Sequence, residues 1–244
     1  MTRGFYTLGS GLLTQNRTLS AISNNIANVN TPGHKKDTVL SSTFGDMVMN
    51  RVEKNRVGVG DVSMMRTVTE SAKIHTQGNL KPSERNLDFA IVGSGFFAVQ
   101  GENGTVYSRN GSMNLDNEGY LVLDGVGRVM GKNGPIKANT DKIFCDNKGT
   151  IYNENNEQID SFALYDFPNY QDLITVGEGM FSGTNATPVA NQTMRSKTIE
   201  LSNVDVAQEM TDSIAAQRIL QSISQTVKMY DKTMESATTQ IGRV

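Results

Sequence analysis

Apolar residues recur every seven positions at the start of the chain. Phe5, Leu12, Leu19 and Ile26 form one series, and Leu8, Gln15, Ile22 and Val29 follow each of them by three. This 4-3 spacing keeps one stripe of a helix apolar and reads as an a/d seam with one polar member. Thr31-Pro32-Gly33 stops it, because proline disfavours helix at the residue before it and glycine permits a turn.

The pattern at the other end is more regular. Ala216, Leu220, Ile223, Val227, Tyr230, Met234, Ala237 and Ile241 alternate in steps of four and three, with no charge at any of the eight positions. Asn203 or Asp205 is placed to cap this helix. Val206 and Met210 fall on or near the seam, which Ser213 and Gln217 blur. From 205 to 241 such a helix runs roughly 55 Å at 1.5 Å per residue.

The middle follows a different period. Leu87–Val92 and Phe96–Gln100 are short apolar runs on either side of Gly93-Ser94-Gly95, and Thr105–Arg109, Tyr120–Leu123, Arg128–Met130 and Lys142–Cys145 follow at short intervals. Turn dipeptides separate them, at Asn103-Gly104, Asn110-Gly111, Glu118-Gly119, Asp124-Gly125 and Asn133-Gly134. Gln158–Phe167 reads as one longer strand, and residues 34–80 as extended structure or loop. The fold class expected is α+β, with long terminal helices and an internal, mainly antiparallel β domain. Glycine and proline agree: all five prolines lie between Pro32 and Pro188, and neither residue occurs from Val189 to Ile241. The segments expected are 1–33, 34–80, 81–198 and 199–244, and a fragment of roughly 36–198 is expected to fold alone. The two helices either pair with each other or with copies of themselves, or fold back on the β domain as ordinary amphipathic helices.

Composition narrows the chemistry. The net charge is −2, and no basic run exceeds Lys35-Lys36, so nucleic acid has no electrostatic footprint here. No apolar run reaches the ~20 residues of a membrane span, so direct membrane insertion is not expected. The first residues lack the apolar stretch of a secretory signal peptide. Cys145, the single cysteine, excludes an intrachain disulfide and reads as a small buried hydrophobe. His34 and His75 lie at no metal-ligand spacing from each other or from Cys145. Gly93-Ser94-Gly95-Phe96-Phe97-Ala98 fits a dinucleotide fingerprint, but that motif needs a helix to start at the second glycine, and the residues here alternate as a strand. Asp116 and Glu118 lie where turns collect acidic residues anyway. No cofactor, metal or catalytic site is expected. The four asparagines Asn24, Asn25, Asn28 and Asn30 are poor helix formers, which points either to specific polar contacts or to a frayed helix end.

These asparagines also carry a resemblance. Ile22-Ser23-Asn24-Asn25-Ile26-Ala27-Asn28-Val29-Asn30-Thr31-Pro32-Gly33 closely resembles the N-terminal signature of the flagellar rod and hook proteins. Asn86 to Gln100, extended by Tyr107-Ser108-Arg109-Asn110-Gly111 and by Leu115-Asp116 through Gly119-Tyr120-Leu121-Val122, resembles the central motif of the family. Glu200 to Met210 with Ala216-Gln217-Arg218 resembles its third signature. The chain departs from the family at His34 (usually aromatic), at Met113 (usually Phe) and at Ile219-Leu220 (usually Ala-Tyr).

The resemblance implies a structural subunit of the bacterial flagellar basal-body rod, outside the cytoplasmic membrane. Copies would polymerise into the hollow axial shaft that transmits torque from motor to hook, with the terminal helices paired inside and the β domain outside. The implied partners are further copies of the chain, neighbouring rod and hook proteins, and the flagellar type III export apparatus. The assembly interface implied is the two seams with their polar neighbours: Phe5, Leu8, Leu12, Leu19, Ile22, Asn24, Asn25, Ile26, Asn28, Val29, Asn203, Val206, Met210, Ala216, Leu220, Ile223, Val227, Tyr230, Met234 and Ile241. His75 to Leu80 and the long 34–75 segment look more like a distal than a proximal rod protein. A proximal rod or hook-like relative, or a secreted β-domain binding protein, is the alternative.

Overall fold

The computed structural model describes residues 2–43, 46–51, 57–63, 66–101, 104–177, 179–189 and 193–242; Asn103 of the first turn dipeptide lies outside them. The chain divides into two compact units, one of Met1–Ala27, Asp37–Lys73 and Asp205–Val244, the other of Asn28–Lys36 and Ile74–Val204. The 33/34 and 198/199 boundaries drawn from the sequence fall inside the second unit.

The first unit holds both long helices, α1 (Thr2–Ala27) and α2 (Val206–Ile241). At 1.5 Å per residue they run about 39 and 54 Å. Asp205 caps α2, its carboxylate accepting from the amides of Ala207 at 3.0 Å and Gln208 at 3.4 Å. α1 ends at Ala27, short of Thr31-Pro32-Gly33, because the chain turns at 28–30. In that turn the Thr31 amide donates to the Asn28 carbonyl at 3.1 Å and the Thr31 hydroxyl to Asn28 Oδ1 at 3.2 Å. The helices pack antiparallel: Gly4 lies against Tyr230, Gly11 against Ile223, and Asn25 against Glu209. Each step of seven or fourteen residues along α1 is matched by the same step back along α2. Between the helices the chain forms nested antiparallel pairs, Asp37–Thr43 with Arg66–Lys73 and Asp46–Arg51 with Val57–Ser63. For this segment the sequence left extended structure or loop open, and the described residues of 37–73 form these cross-strand pairs.

The second unit is β. Its largest sheet has ten strands, and the main path runs Ile174–Gly177, Met180–Ser182, Gly104–Ser108, Phe96–Gly101, Gly127–Gly131, Leu121–Leu123 and Asn114–Leu115, every neighbour antiparallel. Phe96–Gly101 is buried on both faces. Phe97 and Val99 join Phe89, Met113, Leu121, Val129 and Ile151 on one side, while Phe96 and Ala98 join Tyr107, Phe167 and Phe181 on the other. The two side-chain directions of one strand therefore feed two cores, which is why this run is apolar throughout rather than alternating. The expected strand Gln158–Phe167 is two strands, Gln158–Ser161 and Leu164–Asp166. It breaks where Phe162 bridges Gly131 and the Ala163 amide turns to the Met130 carbonyl at 3.1 Å.

Candidate assembly surfaces

The apolar stripe of α2 is where its burial lies. Ala216 is buried; Leu220, Ile223, Val227, Tyr230, Met234 and Ala237 are half-buried, and Ile241 is the last helical residue. Val206 is also half-buried, but Met210 is 53% exposed. One heptad before Ala216 the stripe is continued by Glu209, 1% exposed, whose Oε2 accepts from the Asn25 side chain at 3.2 Å. A search for charge-free apolar spacing passes over a buried glutamate.

α1 meets α2 through a face other than its large apolar one. Gly4, Thr7, Gly11, Thr14, Thr18, Ala21 and Asn25 recur in steps of three and four, and two of these glycines lie against Tyr230 and Ile223. Thr14 is buried here because its hydroxyl bonds back to the Ser10 carbonyl at 2.9 Å, which removes the cost of an unpaired polar group. Among the seam residues of α1 named from sequence, Ile22 alone is buried. Leu8, Leu12, Gln15, Leu19 and Ile26 are half-buried, Phe5 is 50% exposed, and Val29 lies in the turn after the helix.

A second face of α2 carries one charge, Arg218, three residues after Ala215 and four before Ser222, and its own positions are charge-free from Ile219 onward. Thr211, Ala215, Ile219, Ser222, Thr226, Met229, Thr233 and Ser236 follow in steps of four and three, and all are exposed. Of the charges of the C-terminal half, Lys228, Asp231 and Glu235 lie on the far side of the helix from it, and Lys232 borders it beside Met229 and Ser236.

Asn24, Asn25, Asn28 and Asn203 make hydrogen bonds within the chain, and Asn30 is exposed. Asn25, 1% exposed, accepts from the Asp37 amide at 2.8 Å and donates to the Asp37 carbonyl at 2.9 Å, while exposed Asn24 reaches Asp37 Oδ2 at 3.4 Å. Asn28 shapes its turn. Asn203 accepts from the Lys36 amide at 2.7 Å and donates to the carbonyls of Ile74 at 2.7 Å and Thr76 at 3.1 Å. Beside Asn203, in the second unit, lies a group that the sequence reading missed. Glu200 Oε1 pairs with Lys35 Nζ at 2.6 Å and Oε2 with Arg109 at 3.1 Å, and the Glu200 and Lys35 side chains are wholly buried. Burial pulls the Lys35 ammonium below its ordinary pKa, and Glu200 opposes that shift.

The remaining chemical candidates are structural. Gly93-Ser94-Gly95 turns the chain between the strands Phe89–Val92 and Phe96–Gly101, and a strand stands where the dinucleotide fingerprint needs a helix. Asp116 and Glu118 both pair with Arg128, at 2.9 and 2.6 Å, and Asp116 also accepts from the amides of Glu118 and Tyr120. The Cys145 thiol is pushed up to about 12 by burial, with the charge of Asp146 adding to it. The His75 ring stacks on Tyr170 at 4.9 Å and meets Phe96 and Phe181 edge-on, and His34 is buried. Among the described residues no three His, Cys, Asp or Glu side chains are grouped to hold a metal, and no helix is long and apolar enough to cross a membrane.

Known proteins are similar to this chain along nearly its whole length. Residues 5–35 match the family described as flagella basal body rod protein, 90–153 the flagellar hook protein FlgE/F/G D1 domain, and 195–240 the flagellar basal body rod FlgEFG protein C-terminal region. The chain is 32% identical to the flagellar basal-body rod protein FlgG of Bacillus subtilis, covering 96% of this chain and 97% of that one. It is 32% identical to FlgG of Agrobacterium fabrum, over 91% and 93%, and 28% identical to the flagellar basal-body rod protein FlgF of Caulobacter vibrioides, over 100% of both.

Proposed function

Because the chain belongs to the flagellar basal-body rod protein family, of the FlgG and FlgF type, we propose that copies of it join into the rod through the half-covered apolar face of α1 and the exposed second face of α2 from Ile219 to Ser236. It is a structural subunit of the flagellar basal body and assembles with other rod and hook proteins, in a family that is not enzymatic. The finer reading is a coiled-coil-like α1–α2 pair, threaded through the flagellar type III export apparatus and then built into a homopolymer. Its place is the distal part of the shaft, supported by the long extended segment before His75.

One observation carries the polymer reading. α1 packs on α2 through small residues, which leaves its larger apolar side chains, Leu8, Leu12, Leu19 and Ile26, only half covered, and the second face of α2 is exposed, its own positions from Ile219 to Ser236 free of charge. A soluble helix ordinarily sets charge on the face turned from its partner. Faces of different composition on one subunit suit heterologous contacts, which propagate without closing.

The test separates packing within the chain from packing between chains. Met229→Asp and Ile219→Asp alter the exposed face, so each should leave the unfolding free energy within about 0.5 kcal/mol of wild type and the melting temperature nearly unchanged. Each should nevertheless abolish filaments of concentrated purified protein in electron micrographs, together with swimming in soft agar, since it buries a charge between subunits. Val227→Asp, on the stripe that meets α1, should lower the melting temperature as well. Gln221→Asp, on the charged side, should do little. Normal filaments and swimming in Met229→Asp and Ile219→Asp would remove this face from the interface.

A further inference from the structure

The polypeptide passes between its two units four times, at 27/28, 36/37, 73/74 and 204/205. In the second unit these crossings belong to three segments: Asn28–Lys36, the start of Ile74–Val204, and its end. All three converge on Glu200. Its backbone carbonyl accepts from the Gly33 amide at 2.8 Å. Its Oε1 takes Lys35 Nζ at 2.6 Å and the Gly78 amide at 3.0 Å, and its Oε2 takes Arg109 at 3.1 Å. Lys35 also donates to the Thr76 carbonyl at 2.8 Å, and Arg109 to the Gly93 carbonyl at 2.5 Å.

The backbone there is packed without slack. A Cβ on Gly33 (φ 73°) would overlap the backbone of Arg109 and Asn110, and one on Gly78 would overlap the Leu201 carbonyl. We propose that Glu200, with Lys35 and Arg109 as its counter-charges, is the positioning residue that fixes the three segments through which the chain enters and leaves the second unit. One carboxylate holds two buried cations, and each cation reaches on to a backbone carbonyl. A buried charge stripped of its partner is far costlier than a missing neutral contact, so the node resists any displacement of one segment from the others. The inference holds whichever helical face joins the copies.

Hydrogen–deuterium exchange on the full chain tests it. Glu200→Gln keeps the size and hydrogen-bonding reach of the side chain and leaves Lys35 and Arg109 without a counter-charge. Exchange in 28–36, 74–79 and 198–204 should accelerate on the order of 100-fold, while the strands Phe89–Val92 and Phe96–Gly101 keep their protection. Adding Lys35→Met to Glu200→Gln removes one stranded cation and should restore about a tenth or more of the lost protection, which a purely steric role would not do. Lys35→Met alone leaves Glu200 paired with Arg109 and should loosen the same segments by roughly tenfold, giving a reading even if Glu200→Gln does not fold. Swimming should weaken in the same order. An even rise of exchange through the whole unit, no rise in the three segments for Lys35→Met, or no recovery in the double variant would each overturn the proposal.

Discussion

At the scale of single residues, burial rather than residue type sets the chemistry. The Cys145 thiol, held up near 12 in the folded chain, ionises from about pH 8.5 once unfolded. Between those values the unfolded chain has lost a proton that the folded chain keeps, so this thiol lowers stability as pH rises through that window. The melting temperature of wild type should therefore fall further between pH 8 and 10.5 than that of Cys145→Ala, and thiol reagents should label Cys145 only after denaturation. Two glycines test the backbone. Gly9 has open space where a Cβ would stand, so Gly9→Ala should raise stability by about 0.5–1 kcal/mol through helix propensity. Gly78→Ala drives a Cβ into the Leu201 carbonyl and should cost about 2 kcal/mol or more in denaturant unfolding. Little of this was legible beforehand. Nothing in the sequence distinguishes Glu200 from an exposed glutamate, because its burial depends on Lys35 and Arg109, which lie far from it along the chain.

At the scale of elements, periodicity served well where one face of an element decides its fate. The α2 stripe from Ala216 to Ala237 is buried at Ala216 and half-buried along the rest, and the helix starts at one of the two caps proposed. Asp205→Ala should cost about 1 kcal/mol and be visible as a small loss of stability in denaturant titration, since two first-turn amides lose their acceptor. Periodicity misled in α1, where the eye follows large apolar side chains. The partner helix instead sits on Gly4, Gly11 and the threonines, which let backbones approach and bond their hydroxyls internally. A heptad of small residues was present in the sequence, but small residues are weak evidence of burial until a large side chain is known to face them.

At the scale of the whole molecule, the limits of the β unit change what a useful fragment is. Residues 36–198 would omit Lys35, Glu200 and Asn203 and most of the strand Thr198–Glu200, whereas 28–204 keeps them. The longer fragment should melt cooperatively. The shorter should melt about 10 °C lower or more, since Arg109 loses its buried carboxylate at a cost of several kcal/mol. Equal melting temperatures in scanning calorimetry would show that the three segments do not contribute to the core.

The sequence by itself determined the class of the protein: helical ends, a turn-rich β middle, and three family signatures in order. Hydrophobic period and the placement of glycine and proline are local properties, and local properties survive in a linear string. Only the tertiary structure decided how the chain is divided and what its polar residues are for. The Asn25–Asp37 contact, the Asn203 clasp and the Lys35–Glu200–Arg109 node each join segments distant in sequence. Such contacts are selected by the geometry of the folded chain, because a buried polar group is stable only where its partners already stand.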